Sequence, residues 1–315
     1  MPDSADVRAV AIVHPGKVGD RRTAREQLAH HAASVGHSMP EWVETSADDP
    51  GPGQAREAVA AGADLVMVWG GDGTMIGVAA ELAGTDVPLA ILPGGTGNLL
   101  ARNLGIPLDL AGAVDVAYRG RDRSIDLMDV DLGGGERRVG AVMCGLGGDA
   151  EMMAAPEAVK RRLGWGAYAI EGARTMNSAA LPLQISIDGG IEHSVTGHTV
   201  LVANVGMLVG GLVLVPDAGP DDGFLDVLVV GPTSPVDWMR TTTGIISRTG
   251  ADSDPSRIRF RGRSVTISTD RDRMRQIDGA VDGPRDRPRD PAPPGAFNIR
   301  CPGVPTRSPR WRRRS

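Results

Sequence analysis

The sequence contains few lysines, cysteines and aromatic residues. The shortages of lysine and cysteine limit the phosphate-binding and metal-binding sites that the protein can contain. Only two of its 34 basic residues are lysines, Lys17 and Lys160, so few lysines are available to bind a phosphate. The two cysteines, Cys144 and Cys301, lie far apart and match no metal-ligand spacing. That pattern predicts two reduced thiols in a cytoplasmic protein. Residues 1–10 contain no basic segment followed by an apolar stretch, so we expect no secretory signal.

Long apolar runs and an excess of positive charge are also missing. No apolar run approaches the ~20 residues that a membrane-spanning helix needs. The net charge of −5 combines 39 acidic with 34 basic residues, which gives no indication of a nucleic-acid partner for the whole chain. A chain of 315 residues can bury a sizeable core and form two domains. We therefore expect a soluble α/β protein.

The first third of the chain alternates between strand-like and helix-like segments. This alternation predicts a layered α/β domain with a parallel sheet, whose ligands bind at the carboxyl ends of the strands. The predicted strands span 7–14, 41–45, 64–69 and 88–92, and the predicted helices span 21–34, 54–61, 75–83 and 99–104.

The pattern changes after Tyr118 to short apolar or alternating segments separated by Gly, Asp and Pro. It predicts a second, mostly antiparallel, β-rich domain with two helical inserts. We place the domains at 1–120 and 121–302, followed by a basic tail at 303–315 that we expect to be disordered. The predicted strands are 124–132, 137–144, 183–188, 199–205, 225–230, 264–269 and 296–300, and the helices are 156–176 and 235–247.

Two glycine-rich turns follow neighbouring predicted strands, GGDGT at 70–74 and PGGTGN at 93–98. Glycine lets the backbone approach a ligand closely, and the N–H groups at the start of the next helix accept an anion. Asp72 would repel a bare phosphate, so its presence indicates a Mg²⁺ ion between the two. One such turn alone is more often a plain tight turn, but two that converge favour nucleotide binding. The candidate residues are Gly70, Gly71, Asp72, Gly73, Thr74, Gly94, Gly95, Thr96, Gly97 and Asn98.

GGDGT, PGGTGN and the following LLARNLGIP resemble the catalytic domain of the bacterial diacylglycerol kinase family. That family includes sphingosine- and ceramide-kinase relatives, and NAD kinase and phosphofructokinase share GGDG more distantly. The PGGTGN segment favours the lipid-kinase branch over NAD kinase. The resemblance extends from about residue 7 to 302, and its further motifs are HPG at 14–16, ID at 125–126, GGDA at 147–150, VPD at 215–217, DG at 222–223 and QIDG at 276–279.

The resemblance implies an ATP- and Mg²⁺-dependent kinase with ATP between the two domains. It implies that Thr45 lies near the nucleotide, with His14 as a further candidate contact, and that Asp72 and Asp126 serve the catalytic Mg²⁺. A second, structural Mg²⁺ would be held by Asp222 together with the carbonyl groups of Gly219 and Phe224. The residues agree, because PDAGPDDGF offers a carboxylate and a tight turn. Without the resemblance, an ordinary Asp-Gly turn would be the preferred interpretation of Asp222.

The chain departs from the family at three places, the first being His14-Pro15, where the family's first loop usually begins Asn-Pro. Ile76 and Gly77 replace an Asn-Glu pair that is common after GGDGT, which makes a sphingosine kinase less favoured. Ala280 replaces an acidic residue that is implicated as the base toward the lipid hydroxyl. Asp278 is the best remaining candidate base, with Asp282 as another, although Asp278-Gly279 also fits a hairpin turn. The enzyme could therefore be slow, or a relative that only binds nucleotide or lipid.

The acceptor is expected to be diacylglycerol or a similar lipid, since the glycine-rich and apolar segments 144–150 and 204–211 suit an acyl chain. A soluble acceptor of the NAD-kinase type is a weaker alternative. The mildly amphipathic segment 163–176 fits a core-facing helix better than a membrane contact. An arginine-rich end at 307–314 would add attraction to anionic lipid at the inner membrane face, or remain a solvated tail. The oligomeric state stays open, with a homodimer as one expectation.

Overall fold

The computed structural model describes residues 7–132, 137–147, 180–207, 215–231, 257–270, 275–278, 280–281 and 297–301. The chain divides into two compact units, the first formed by residues 1–96, 104–124 and 298–315, and the second by residues 97–103 and 125–297. The helices predicted at 156–176 and 235–247, and the tail at 303–315, lie outside the described residues. No helix in the described ranges is both long enough and apolar enough to cross a membrane.

The first unit is built on a six-stranded sheet. Its strands are β1 (Ala9–Val13), β2 (Glu41–Glu44), β3 (Leu65–Gly70), β4 (Leu89–Pro93), β5 (Arg121–Ile125) and, from the end of the chain, β17 (Phe297–Cys301). Their order is β2-β1-β3-β4-β17-β5. The pairs β1–β2, β1–β3, β3–β4 and β4–β17 are all parallel, so the predicted parallel α/β domain is confirmed.

The helices of the N-terminal part follow the strands in alternation. They are α1 (Arg21–Ser34), α2 (Pro52–Ala60), α3 (Asp72–Leu82), α4 (Leu99–Asn103), which belongs to the second unit, and α5 (Leu110–Arg119). All residues of β1 and β3 are buried, as expected for parallel strands covered on both faces. Asp20 caps α1 by accepting the Thr23 N–H at 2.8 Å, which explains why the predicted start of this helix is correct.

The second unit consists of antiparallel sheets, which confirms the predicted β-rich domain. Its strands are β6 (Met128–Asp131), β7 (Arg137–Gly140), β8 (Met143–Gly147), β9 (Leu181–Ile187), β10 (Glu192–Gly197), β11 (Thr199–Ala203), β12 (Leu225–Val230), β13 (Arg257–Gly262), β14 (Val265–Thr269), β15 (Arg275–Ile277) and β16 (Ala280–Val281). The three sheets have the orders β13-β12-β11-β8-β15-β16, β10-β9-β14 and β6-β7.

A buried aliphatic cluster joins the two larger sheets of this unit. Leu183 and Ile185 of β9 pack with valines of β11 and β12, and all six side chains of the cluster are buried. Each burial of such a side chain contributes roughly 1.5–3 kcal/mol relative to exposure. The valines are Val200, Val202, Val227 and Val229.

The last strand joins a different unit from the one in which the sequence analysis places it. The expected strand near 296–300 exists as β17, but it pairs with β4 of the first sheet, with Ile299 opposite Leu89. The chain therefore returns to the first unit after completing the second. Helix α5 and strands β10 and β13 were not predicted. Helix α5 has a buried apolar face and β13 alternates between arginine and apolar residues, so both signals were missed, whereas most residues of β10 are exposed and give little signal.

Candidate active site

Four parallel strands of the first unit end at the same level of the sheet. Val13 at the end of β1 lies opposite both Glu44 of β2 and Trp69 of β3, and Gly70 lies opposite Pro93 of β4. The residues that follow these strands therefore meet at one edge, as expected for the carboxyl ends of parallel strands. The turns gathered there begin at His14, Thr45, Gly71 and Gly94.

The two glycine turns contact each other at this edge. The Gly94 N–H donates a hydrogen bond to the Gly70 carbonyl at 2.9 Å. A Cβ atom on Gly94 would lie 3.2 Å from Trp69 Cδ1 and 3.4 Å from the Gly70 oxygen, so the approach leaves little room for a side chain. A Cβ on Gly71 would lie 3.8 Å from the Cα of Gly95. The two turns therefore converge, as their spacing predicts.

Asp72 is the first residue of α3 and stands directly beside this contact. Gly71 precedes it as the N-cap in an extended conformation, without a side-chain hydrogen bond. The first N–H groups of a helix lack intrahelical partners and attract negative charge, which is a structural reason for a carboxylate here as well as a functional one. Thr74, two residues further along, is buried against Gly70, where a Cβ would lie 3.2 Å from the Thr74 Cβ. This packing leaves the Thr74 hydroxyl little exposed.

Lys17 lies along both glycine turns and was missed by the sequence reasoning. Its Cε is 4.0 Å from the position of a Cβ on Gly71, and its Cβ is 3.4 Å from that on Gly94. The residue is exposed, and within the described ranges its ammonium group makes no ion pair or hydrogen bond. It is the single lysine before residue 160 and closes the turn after β1, and this signal could have identified it.

His14 shapes the turn that carries Lys17. Its Nδ1 accepts the Gly16 N–H at 3.1 Å and caps a single 3₁₀ turn over Pro15–Lys17. Its own N–H donates to the Trp69 carbonyl at 2.9 Å, which ties the turn to β3. The structure thus gives this predicted nucleotide contact a positioning role for the loop.

The remaining nucleotide candidates differ in exposure. Thr45 is buried and its N–H donates to the Val13 carbonyl at 2.9 Å, whereas Thr96 is exposed.

Asn98 adopts a φ of 46°, a left-handed conformation that asparagine tolerates better than most residues. Its carbonyl accepts the Arg102 N–H at 3.0 Å, and the Arg102 Nε donates to the Gly97 carbonyl at 2.9 Å. The backbone after the second turn is therefore fixed by α4.

Asp126, in the second unit, is held through three of its groups. Its N–H donates to the Pro220 carbonyl at 2.7 Å, and its Oδ2 accepts the Gly223 N–H at 2.7 Å. Its carbonyl accepts Nδ2 of Asn204, a fully buried side chain that the sequence reasoning did not single out, at 2.9 Å. Among the described residues nothing hydrogen-bonds to its Oδ1. The carboxylate is therefore oriented, with one oxygen available.

Asp72 of the first unit and Asp126 of the second unit each offer the kind of oxygen ligand that Mg²⁺ prefers. Magnesium prefers oxygen ligands and is usually bound by one or two carboxylates together with substrate phosphates. Asp72 stands beside backbone N–H groups suited to phosphate, and Asp126 has an oriented free oxygen. Within the described part of the chain, no group of three or more His, Cys, Asp or Glu residues could hold a metal by itself, so substrate oxygens would have to complete the ligand set.

The predicted structural Mg²⁺ site does not fit the side chains around it. Asp222 Oδ1 accepts the Phe224 N–H at 2.9 Å, and Oδ2 accepts the Gly219 N–H at 3.2 Å. The guanidinium group of Arg261 pairs with the same Oδ2. Both oxygens of the expected ligand already accept hydrogen bonds, and a permanent positive charge stands where a cation would bind.

Asp278, the candidate base, anchors the backbone before β8. Its carboxylate accepts three N–H groups, with Oδ2 2.7 Å from Ala141 N and Oδ1 2.8 Å from Val142 N and 2.7 Å from Met143 N. Its own N–H donates to the Met143 carbonyl at 2.8 Å, and its φ is 50°. A substrate hydroxyl would have to compete with these donors, so the structure favours a structural role for Asp278.

The departures at Ile76 and Gly77 have a packing explanation. Ile76 is buried in α3, and a Cβ on Gly77 would lie 3.3 Å from Cγ of Pro52 in α2. The close contact of α2 with α3 favours glycine at that position. A longer polar side chain there would have to displace the buried Pro52 ring.

The expected acceptor region is described only in part. Residues 148–150, 163–176 and 208–211 lie outside the described residues. Asn103 at the end of α4 binds the segment after β11 in both directions, since its Nδ2 donates to the Met207 carbonyl at 2.8 Å and its Oδ1 accepts the Met207 N–H at 3.0 Å. The helix after the second glycine turn is thus tied to the segment expected to line the acceptor site.

The parallel α/β unit with paired glycine turns and the antiparallel β unit that follows it are each matched by a known protein family. The family described as "Diacylglycerol kinase catalytic domain" matches residues 8–130. The family described as "YegS C-terminal NAD kinase beta sandwich-like domain" matches residues 140–300. The chain belongs to the diacylglycerol kinase catalytic-domain family.

Individual relatives agree with this assignment. The chain is 33% identical over 186 residues to a protein named "Diacylglycerol kinase" from Mycobacterium tuberculosis, a match that spans 58% of this chain and 60% of that protein. It is 32% identical over 254 residues, 78% of this chain and 80% of the relative, to "Probable lipid kinase YegS-like" from Pseudomonas fluorescens. A crystal structure of a diacylglycerol kinase from Bacillus anthracis has the same fold, with a TM-score of 0.71 and 23% identity over 95% of this chain and 98% of that one.

We expect Asp278→Asn to destabilise the protein, because the amide would point a donor at one of the three N–H groups. The loss should be about 2–4 kcal/mol of unfolding free energy, measured by urea denaturation. Asp86→Asn, at an exposed aspartate, is the control and should change stability little. Unchanged stability with lost turnover in Asp278→Asn would contradict the structural role and support the role as base.

Proposed function

We propose that the protein is an ATP-dependent kinase that transfers the γ-phosphoryl group to a hydroxyl of diacylglycerol or a related lipid. One observation carries the proposal, the contact of the two glycine turns beside Asp72 and Lys17 at the carboxyl edge of the sheet. Membership of the diacylglycerol kinase catalytic-domain family supports it, as do relatives named for diacylglycerol and lipid kinase activity.

The glycine turns would bind the phosphates of ATP. The Gly94 N–H is already bonded to the Gly70 carbonyl, so the N–H groups at the start of α3, after Gly71, would take the phosphate, and the helix adds the positive end of its dipole. Lys17 would add one fixed positive charge over both turns. Asp72 would help to hold Mg²⁺, which would offset the negative charge of the phosphates. The buried Thr45 would contribute to the shape of the nucleotide pocket.

Transfer forms a bond between the lipid hydroxyl oxygen and the γ-phosphorus and breaks the bond from that phosphorus to the bridging oxygen of ADP. When bound, Mg²⁺ neutralises charge on the phosphate oxygens. Asp126 would present its free Oδ1 in a fixed direction, because Pro220, Gly223 and Asn204 orient the rest of the residue. The hydroxyl proton passes to a base or to water, and a loose transition state demands little of that base.

A second candidate function is a catalytically impaired relative that binds nucleotide or lipid. Two points favour it. The family resemblance implies an acidic residue where this chain has Ala280, and the oxygens of the neighbouring Asp278 already accept three N–H groups. Ala280→Glu separates the two functions, because a large gain in turnover would mark the natural chain as impaired.

If diacylglycerol is the acceptor, the protein must bind its substrate at a membrane surface, because diacylglycerol resides in the bilayer. Arginines between 307 and 314 would add attraction to anionic lipid of about 1 kcal/mol each near the surface. We therefore propose peripheral contact with the inner face of the membrane.

We expect the wild-type protein to transfer label from γ-labelled ATP to a lipid in a total lipid extract with Mg²⁺ present. Asp72→Asn should lower this transfer by at least about a hundredfold, because the metal-bound phosphates lose their carboxylate partner. Circular dichroism should show that the variant stays folded. Label that moves to NAD instead of lipid would replace the lipid acceptor, and full activity of Asp72→Asn would remove the proposed metal residue.

Lys17→Met should weaken ATP binding about five- to tenfold, because one charged contact to the phosphates is lost from an exposed position. Fluorescence titration with a labelled ATP analogue measures the change. Arg25→Met on α1 removes an exposed positive charge away from the turns and serves as the control. Equal affinities of the Lys17 variant and wild type would show that this lysine does not contact the nucleotide.

A further inference from the structure

Four acidic residues are concentrated in a short segment of the second unit, the acidic turn at 217–226. The segment leads into β12, and family resemblance implies a structural Mg²⁺ at its Asp222. The neighbouring strand β13 and its extension carry three arginines, of which Arg261 pairs with a residue of this segment. The acidic residues are Asp217, Asp221, Asp222 and Asp226, and the arginines are Arg259, Arg261 and Arg263.

Strand register brings Arg261 onto two of these carboxylates. In the antiparallel pair β12–β13, Asp226 lies directly opposite Arg261. The Arg261 guanidinium pairs with Oδ2 of Asp222, and its Nε is 3.7 Å from Oδ2 of Asp226. Its Cζ also lies 4.8 Å from the centre of the Phe224 ring, within the range of a cation–π contact. One side chain therefore bridges the middle and the end of the turn.

The charges around Asp226 show why a cation is needed. Asp226 is buried, and this burial raises the pKa of its carboxyl group. Arg261 opposes the effect most strongly and Arg259 to a smaller extent, whereas Asp222 and Asp217 reinforce it. Among the described residues, no group hydrogen-bonds to its Oδ2. Several carboxylates this close repel one another unless a positive charge lies among them. Arg261 supplies that charge.

A guanidinium at this place disfavours Mg²⁺. Magnesium requires nearly octahedral oxygen ligands at about 2.0–2.1 Å. The Asp222 oxygens already accept the N–H groups of Gly219 and Phe224 as well as the arginine. A metal ion would have to displace these donors and would be repelled by the permanent charge of Arg261.

We propose that Arg261 takes the place of the structural metal ion at the acidic turn and acts through the turn as a positioning residue for Asp126. The turn holds Asp126 at two points, by the Gly223 N–H on its Oδ2 and by the Pro220 carbonyl on its N–H, both at 2.7 Å. The first part of the proposal concerns folding alone. The second part rests on the proposed function, because it assigns Asp126 to phosphoryl transfer.

The first test is thermal unfolding without nucleotide, in EDTA and in millimolar Mg²⁺. Wild type should melt at the same temperature in both conditions. Arg261→Met should melt roughly 2–4 °C lower in EDTA, because the bridging charge is lost from a partly exposed site. Mg²⁺ should restore part of that loss, because Asp222 then becomes available to a metal. A wild type that gains as much from Mg²⁺ as the variant would overturn the metal replacement.

Two further variants keep this test interpretable. Arg263→Met is the matched control, since Arg263 lies 5.4 Å from the same Phe224 ring but makes no ion pair among the described residues. It should show no Mg²⁺-dependent gain.

Arg261→Lys keeps the charge but loses the planar fork, so its melting temperature should fall between those of wild type and Arg261→Met. If Arg261→Met does not fold, a Mg²⁺-dependent gain in Arg261→Lys but not in Arg263→Met supports the proposal, and equal responses overturn it.

The positioning role has a separate readout, measured well below the melting temperature of every variant. Arg261→Met should lower kcat severalfold with unchanged ATP affinity, and Arg261→Lys should recover part of the loss. Equal kcat values for Arg261→Met, Arg263→Met and wild type would overturn the positioning role. If wild type transfers no phosphate at all, the proposed function and the positioning role fail together, while the unfolding measurements still decide whether Arg261 replaces the metal.

Discussion

The close approach of two glycine turns, joined by the 2.9 Å hydrogen bond from Gly94 to Gly70, is the constraint on which the candidate site depends. Parallel pairing of β3 with β4 ends both strands at one level, and the missing side chains let their turns touch. The start of α3, with its N–H groups and Asp72, and the Lys17 side chain then face the same small region. Backbone geometry alone therefore makes this region suited to an anion.

Hydrogen bonds of buried polar side chains fix the arrangement of strands and turns in the second unit. Asn204 is almost completely buried and donates to the carbonyls of Asp126 and Ala141 at 2.9 and 3.0 Å. Asp278 similarly gathers three N–H groups near the start of β8. Buried polar groups are costly unless they are paired, so each such network specifies one arrangement of its strands and turns. The acidic turn and Arg261 extend this pattern to Asp126.

Local signals in the sequence predicted much of the fold and the outline of the site. The α1 helix and β12 have the bounds that their patterns indicate, and the GGDGT and PGGTGN turns follow the strands expected to carry them. The return of β17 to the first sheet was not predictable, because it depends on pairing over about 200 residues. Arg261 and Lys17 escaped notice for the same reason, since strand register and loop path bring them to their partners. The sequence around Asp278 fits either a catalytic base or a turn residue. The three N–H groups that its carboxylate accepts in the structure favour a structural role.

Calorimetric titration of the wild-type protein with ATP, with Mg²⁺ present or replaced by EDTA, tests the central claim most directly. A metal-bridged triphosphate on the glycine turns predicts clear binding with Mg²⁺ and at least about tenfold weaker binding in EDTA, because Asp72 then repels the phosphates. Equal affinity under both conditions, or no nucleotide binding in either, would contradict the account.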